Sequence, residues 1–116
     1  MSRSVGTWGE AQVANYLRKN RYRLVAHSYH CRFGEIDLIA MGGKTLCFVE
    51  VKTRSNLSMG LPREYVNAAK QERIRKTALF YLSEKELDCP MRFDVAEVYQ
   101  SGSGALERIE YIKNAF

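Results

Sequence analysis

The apolar positions fall into a helical rhythm first. Between Trp8 and Lys19, the residues Glu10, Val13, Ala14 and Leu17 stand at i, i+3, i+4 and i+7, which predicts a helix with those four on one stripe. Asn20 follows, a residue suited to the left-handed position just past a helix end. Glu10 is the anomaly of the stripe, because a carboxylate facing a core is costly unless it is paired, hydrogen-bonded or bound to a metal. Tyr22 to His30 is rich in aromatic and branched residues and predicts a strand. Two further strands, Gly34 to Met41 and Thr45 to Thr53, are separated by Gly42-Gly43, a two-residue hairpin signal. A helix is expected from Arg63 to Ser83, with Pro62 near its start and Ile74, Ala78, Tyr81 and Leu82 as its buried stripe, Gln71 at the edge. Met91 to Tyr99 reads as a strand, Ser101 to Gly104 as a turn, and Ala105 to Lys113 as a last strand. The order αβββαββ predicts a single α/β domain over residues 1–116, a mixed central sheet flanked by helices.

The hairpin GEIDLIAMGGKTLCFVEVKTR carries the unusual pattern. With Gly42-Gly43 as the turn, Met41 faces Lys44, Glu35 lies opposite Glu50, and Asp37 lies opposite Phe48. One face then holds Glu35, Asp37, Ile39, Leu46, Phe48, Glu50 and Lys52, and the other holds Ile36, Leu38, Ala40, Cys47, Val49 and Val51. Both faces are largely apolar, so these strands are expected to be central and covered on both sides. Asp37 and Glu50 become diagonal neighbours, with backbones about 7–8 Å apart. Like-charged carboxylates at that spacing destabilise a sheet unless something compensates them. Mg²⁺ or Mn²⁺ would do so, since hard cations take carboxylate and backbone oxygens, and the Val51 carbonyl is a further candidate ligand. Lys52, on the side of Glu50, is placed to orient a water and to stabilise negative charge at phosphorus. The competing reading is an ordinary Glu50–Lys52 ion pair on a solvated strand.

Composition narrows the setting. Eighteen basic against thirteen acidic residues give a formal charge of +5, and 46% hydrophobic residues suit one folded core. The basic residues cluster at Arg18, Lys19, Arg21 and Arg23, and again at Arg63, Lys70, Arg73, Arg75 and Lys76. Each cluster suits a nucleic-acid backbone and equally suits a solvated helix face. Arg54, Lys70 and Arg73 are the candidate phosphate contacts. Cys31, Cys47 and Cys89 lack CxxC or CxxH spacing, so neither a disulfide framework nor a zinc site is expected. No apolar run approaches the roughly 20 residues that cross a bilayer, and MSRSVGTWGEAQ has no apolar signal segment, so a cytoplasmic protein without a membrane partner is expected. His27 and His30 are read as structural or surface groups, Trp8, Tyr16 and Tyr81 as core, and Asp94 as a structural carboxylate near Arg92. Ser55 to Leu61 is either an ordinary connector or a loop lying against substrate.

D-x12-E-x-K, here Asp37, Glu50 and Lys52, resembles the signature of the PD-(D/E)XK nuclease superfamily, with Ile36 in the variable position of its proline. Longer blocks extend the likeness over nearly the whole chain: GTWGEAQVANYL at Gly6 to Leu17, GEIDLIA at Gly34 to Ala40, FVEVKTR at Phe48 to Arg54, RFDV at Arg92 to Val95 and NAF at Asn114 to Phe116. Together these look like the YraN-type family of small bacterial proteins, related to archaeal Holliday-junction resolvases. The resemblance implies a restriction-endonuclease-like core and Mg²⁺- or Mn²⁺-dependent hydrolysis of phosphodiesters in DNA, with branched or junction DNA as a candidate substrate. It implies that an acidic residue of the first helix, here Glu10, joins Asp37 and Glu50 at the metal. It also implies a homodimer and leaves room for a protein partner in DNA processing. The alternative expectation is a non-catalytic nucleic-acid-binding module or adaptor in DNA uptake or repair that keeps the nuclease fold.

Overall fold

A computed structural model describes residues 6–55 and 66–116. The expected start of the second helix at Pro62 and Arg63, and the stretch from Asn56 to Leu61, lie outside the described residues. The elements run α1 (Trp8–Lys19), β1 (Arg23–Cys31), β2 (Gly34–Gly42), β3 (Thr45–Ser55), α2 (Ala68–Glu84), β4 (Met91–Gln100) and β5 (Leu106–Ile112), in the predicted order.

The first helix opens with a capping box. The Glu10 amide donates to Thr7 Oγ1 at 3.2 Å and the Thr7 amide donates to Glu10 Oε1 at 3.3 Å, satisfying two backbone donors that a helix end leaves bare. Its last turn departs from expectation. Asn20 keeps φ −97°, and the left-handed residue is Arg21 at φ 69°. Arg21 N–H reaches the Arg18 carbonyl and Tyr22 N–H reaches the Leu17 carbonyl, the double bond of a Schellman end, while the Asn20 side chain caps the Tyr16 carbonyl at 2.8 Å. The second helix is capped by Asn67, whose Oδ1 accepts the Lys70 amide at 2.9 Å, so α2 begins at Ala68.

The sheet lies in the order β1-β2-β3-β4-β5. The first three strands form an antiparallel meander, α2 carries the chain across to β4 parallel to β3, and β5 returns antiparallel. Val13 and Leu17 of α1 pack on one face with Leu38, Ala40, Cys47, Val49, Ala96 and Val98. Ile74, Ala78 and Tyr81 of α2 pack on the other with Ile39, Leu46, Phe48, Phe93 and Val95. Leu46 through Val49 are fully buried on both faces, as the unbroken apolar run of β3 predicts. Thr77 joins the buried stripe of α2, its hydroxyl satisfied by the Arg73 carbonyl at 2.8 Å.

Two details of the sheet correct the sequence reading. Gly42 pairs with Thr45, so the turn is Gly43-Lys44 with Gly43 at φ 62°. A Cβ on Gly42 would stand 2.5 Å from the Tyr22 ring, so that glycine serves close packing within the strand rather than the turn. Ile39 therefore faces Phe48, and the Glu35–Glu50 opposition disappears; Glu35 pairs across to His30. Second, strict alternation breaks in the middle of β2. Ile36 packs with Ile39 on the α2 face although three positions separate them, and Ala26 and Tyr29 do the same in β1. Ser28, at φ 51°, and Asp37 sit at the break in the two neighbouring strands. Ile36 thus leaves the Leu38 face that alternation assigned to it.

On the α1 side of the sheet, in register with Val49 of β3, Asp94 is fully buried and fully engaged. Arg92 holds it from Nε and a terminal nitrogen at 2.9 Å, the Tyr111 hydroxyl donates at 2.6 Å, and the Asn114 amide donates at 2.9 Å. This carboxylate ties β4 to β5 and to the C-terminal turn, in line with the structural role expected of it. Asp94→Ala should lower unfolding free energy by about 3–5 kcal/mol, since it removes the shared acceptor of the Arg92 guanidinium, the Tyr111 hydroxyl and the Asn114 amide. Urea unfolding followed by circular dichroism measures this, and a loss under 1 kcal/mol would contradict the network.

Candidate active site where β2 and β3 part

The antiparallel ladder between β2 and β3 runs from Gly42↔Thr45 to Leu38↔Val49. In such a ladder every second residue turns its N–H and C=O toward the partner strand. Val51, two beyond Val49, offers its N–H to that side, and the Asp37 carboxylate takes it: Val51 N donates to Asp37 Oδ2 at 2.8 Å. A side chain thus replaces the next rung where the strands part. The Val51 carbonyl points to the same side, beside Asp37. Meanwhile β3 keeps unbroken parallel register with β4, from Leu46↔Met91 to Ser55↔Gln100. Glu50, Lys52 and Arg54 therefore share the α2 face of the sheet.

Asp37 and Glu50 meet at this opening. The Asp37 carboxyl is pushed up to about 7, first by burial and then by the neighbouring Glu50 carboxylate; the Val51 amide and the Lys70 ammonium pull it down, and Glu10 adds to the push from α1. Glu50 is buried and its carboxylate is held by Lys70, from the first turn of α2. Among the described residues Glu50 pairs with Lys70 and not with Lys52, so the ordinary strand ion pair does not form. Lys52 stays half-buried two positions along the same face.

The other expected site residues divide. Glu10 is half-buried at the start of α1, close enough to act on Asp37, with one oxygen in the capping box. Among the described residues no three histidine, cysteine, aspartate or glutamate side chains form a ready-made metal cluster. Asp37, Glu50 and the Val51 carbonyl nonetheless supply hard oxygen donors, and two neighbouring, largely buried carboxylates, only one of them paired with an ammonium, suit a hard divalent cation. Arg54 reaches Glu97 at 3.4 Å. Arg73 is exposed on α2, its backbone over Gly34.

Glu97 was not among the expected site residues. It is 1% exposed, registers opposite Lys52 on β4, and is bonded by Arg54 and by the Tyr99 hydroxyl at 3.2 Å. Its signal in the sequence was a single carboxylate inside Val95-Ala96-Glu97-Val98, a position where burial demands partners.

Comparison with known proteins adds a family. The profile described as "Uncharacterised protein family UPF0102" matches residues 9–98. A UPF0102 protein of Alkaliphilus metalliredigens is 46% identical over 117 residues, covering 100% of both chains. UPF0102 proteins of Geotalea uraniireducens and Syntrophus aciditrophicus are 45% and 49% identical, covering 99% and 96% of this chain and 91% and 87% of theirs.

The raised Asp37 carboxyl makes stability depend on pH. Its folded value lies above its unfolded one, so the contribution is fully present near pH 4 and is lost as pH rises through about 7. Asp37→Asn keeps an acceptor for the Val51 amide and removes the charge. The variant should gain ~1–2 kcal/mol on wild type between pH 5 and pH 8, because solvent reaches part of the Asp37 carboxyl and screens its charge. Melting curves in chelator at the two pH values test this, and a difference independent of pH would refute it.

Proposed function

The chain belongs to the UPF0102 family, and from that premise we propose that it is a Mg²⁺- or Mn²⁺-dependent endonuclease acting on DNA, built on a PD-(D/E)XK, restriction-endonuclease-like core. The observation that carries the reading is the opening between β2 and β3. There Asp37 and Glu50 stand side by side, and Lys52 follows Glu50 on the same face of the same strand. The mixed sheet between α1 and α2, with this end uncovered by a further ladder rung, agrees with that assignment.

In this reading Asp37, Glu50 and the Val51 carbonyl hold the cation, with Glu10 contributing from α1. When bound, such an ion supplies Lewis-acid activation of the phosphodiester and of water. The residues of the chain do the rest. Burial among Phe48, Val49 and Ile36 keeps the Asp37–Glu50 end in a low-dielectric setting, where charge interactions are strengthened. Lys52, fixed by the register of β3, orients the attacking water and offsets the negative charge that grows on the phosphoryl oxygens. Arg73 contacts a phosphate of the nucleic-acid backbone. Arg54, anchored by Glu97, borders the scissile position.

Cleavage is tested on branched, single-stranded and duplex DNA with Mg²⁺ or Mn²⁺. Lys52→Ala should lower cleavage at least 100-fold, the scale of a lost acid–base or charge-stabilising group, while DNA affinity changes less than threefold. Unchanged cleavage in that variant identifies a contaminant, and binding without cleavage on every substrate overturns the enzyme reading in favour of a binding module. Arg73→Ala should weaken DNA binding severalfold for all sequences and reduce the salt slope by about 1. Fluorescence anisotropy between low and moderate salt measures it.

A further inference from the structure

We propose that Lys70 is an internal counter-ion of the candidate metal site: its ammonium stands at Glu50 where a divalent cation would sit, and it must swing out before that cation binds. The proposal rests on the metal-site reading above and adds its regulation. Loading the metal then frees a positive charge on α2 toward a phosphate-bearing substrate.

Three observations carry it. The first is the contact itself: Lys70 Nζ is paired directly with Glu50 Oε2, on the carboxylate that neighbours Asp37. An ammonium and a divalent cation repel, so both cannot hold one carboxylate oxygen in comfort. One ammonium also compensates only one of two adjacent carboxylates, whereas a divalent ion compensates both.

The second is the contrast in exposure. The Glu50 side chain is 8% exposed and cannot be left bare without penalty, while that of Lys70 is 40% exposed and has water to move into. The third is the mounting. The Lys70 backbone is pinned by its amide bond to Asn67 Oδ1 at 2.9 Å, so the helix end need not shift when the side chain leaves. A four-carbon stem carrying a compact charge suits that movement better than the planar fork of an arginine would. Lys52 differs in each respect: it stands on β3, two residues from Glu50, and is held by a ladder rather than a helix turn. The two lysines thus divide the work, one fixed beside the site and one removable from it.

The test uses the metal-stripped full chain and Mn²⁺ alone, titrated by calorimetry against wild type, Lys70→Met, Lys70→Gln, Lys70→Arg and Asp37→Asn. Removing the competing charge should tighten Mn²⁺ binding roughly tenfold in Lys70→Met and Lys70→Gln. Lys70→Arg should stay within threefold of wild type. In chelator, Lys70→Met should melt a few degrees below wild type, and saturating Mn²⁺ should close the gap. Mn²⁺ binding that is lost in Asp37→Asn but equal or weaker in Lys70→Met than in wild type overturns the counter-ion and leaves the metal site standing. No Mn²⁺ binding by wild type and by Lys70→Met, or binding indifferent to Asp37→Asn, overturns the metal site and this proposal together.

Discussion

Two carboxylates drawn together out of water are the constraint on which the working end of this molecule turns. Asp37 and Glu50 come from different strands and meet where burial already disfavours their charge. The protein answers in several ways at once. Asp37 takes the Val51 amide in place of a ladder rung, Glu50 takes the ammonium of Lys70, and the Asp37 carboxyl is pushed up to about 7. Each response is a partial one, and the negative charge of the pair is only partly offset.

The topology explains why such a place exists here. A meander of three antiparallel strands would ordinarily continue its rungs to the strand ends. The break at Ser28 and Asp37 re-aims the neighbouring residues, sending Tyr29 and Ile36 to the α2 side, and the β2–β3 ladder stops at Leu38 and Val49. The parallel partner β4 holds β3 straight through this region, so Glu50, Lys52 and Arg54 keep one face while β2 departs. Rigidity on one side and a break on the other end the β2–β3 ladder at Leu38 and Val49 while Leu46 to Val49 stay fully buried.

Buried charge is handled differently elsewhere in the fold. Asp94 is wholly enclosed, yet Arg92, Tyr111 and Asn114 saturate it, and nothing about it calls for a ligand. Glu97 lies between the two cases, enclosed and bonded by Arg54 and Tyr99 but bordering Lys52. A carboxylate with a full set of donors is satisfied where it stands, and one that shares its donors with a second carboxylate keeps charge that its donors do not offset. That difference separates Asp94 from Asp37 more clearly than burial does.

Much of this was legible from residue order. The 3.6-residue stripe of Val13, Ala14 and Leu17, the apolar run of β3 and the order of the elements follow from periodicity, because local patterning and burial demand the same thing. The shared face of Glu50 and Lys52 follows from the two-residue period of a strand. Tertiary contacts decided the rest. Packing of the Tyr22 ring against Gly42 moved the turn by one residue and with it the partner of Asp37, and no local preference among adjacent glycines encodes that. The flip at Asp37 and the ammonium brought from α2 to Glu50 join segments far apart in the chain. Such joins depend on which surfaces meet, since a strand's own pattern specifies the face a side chain takes and not the group waiting there.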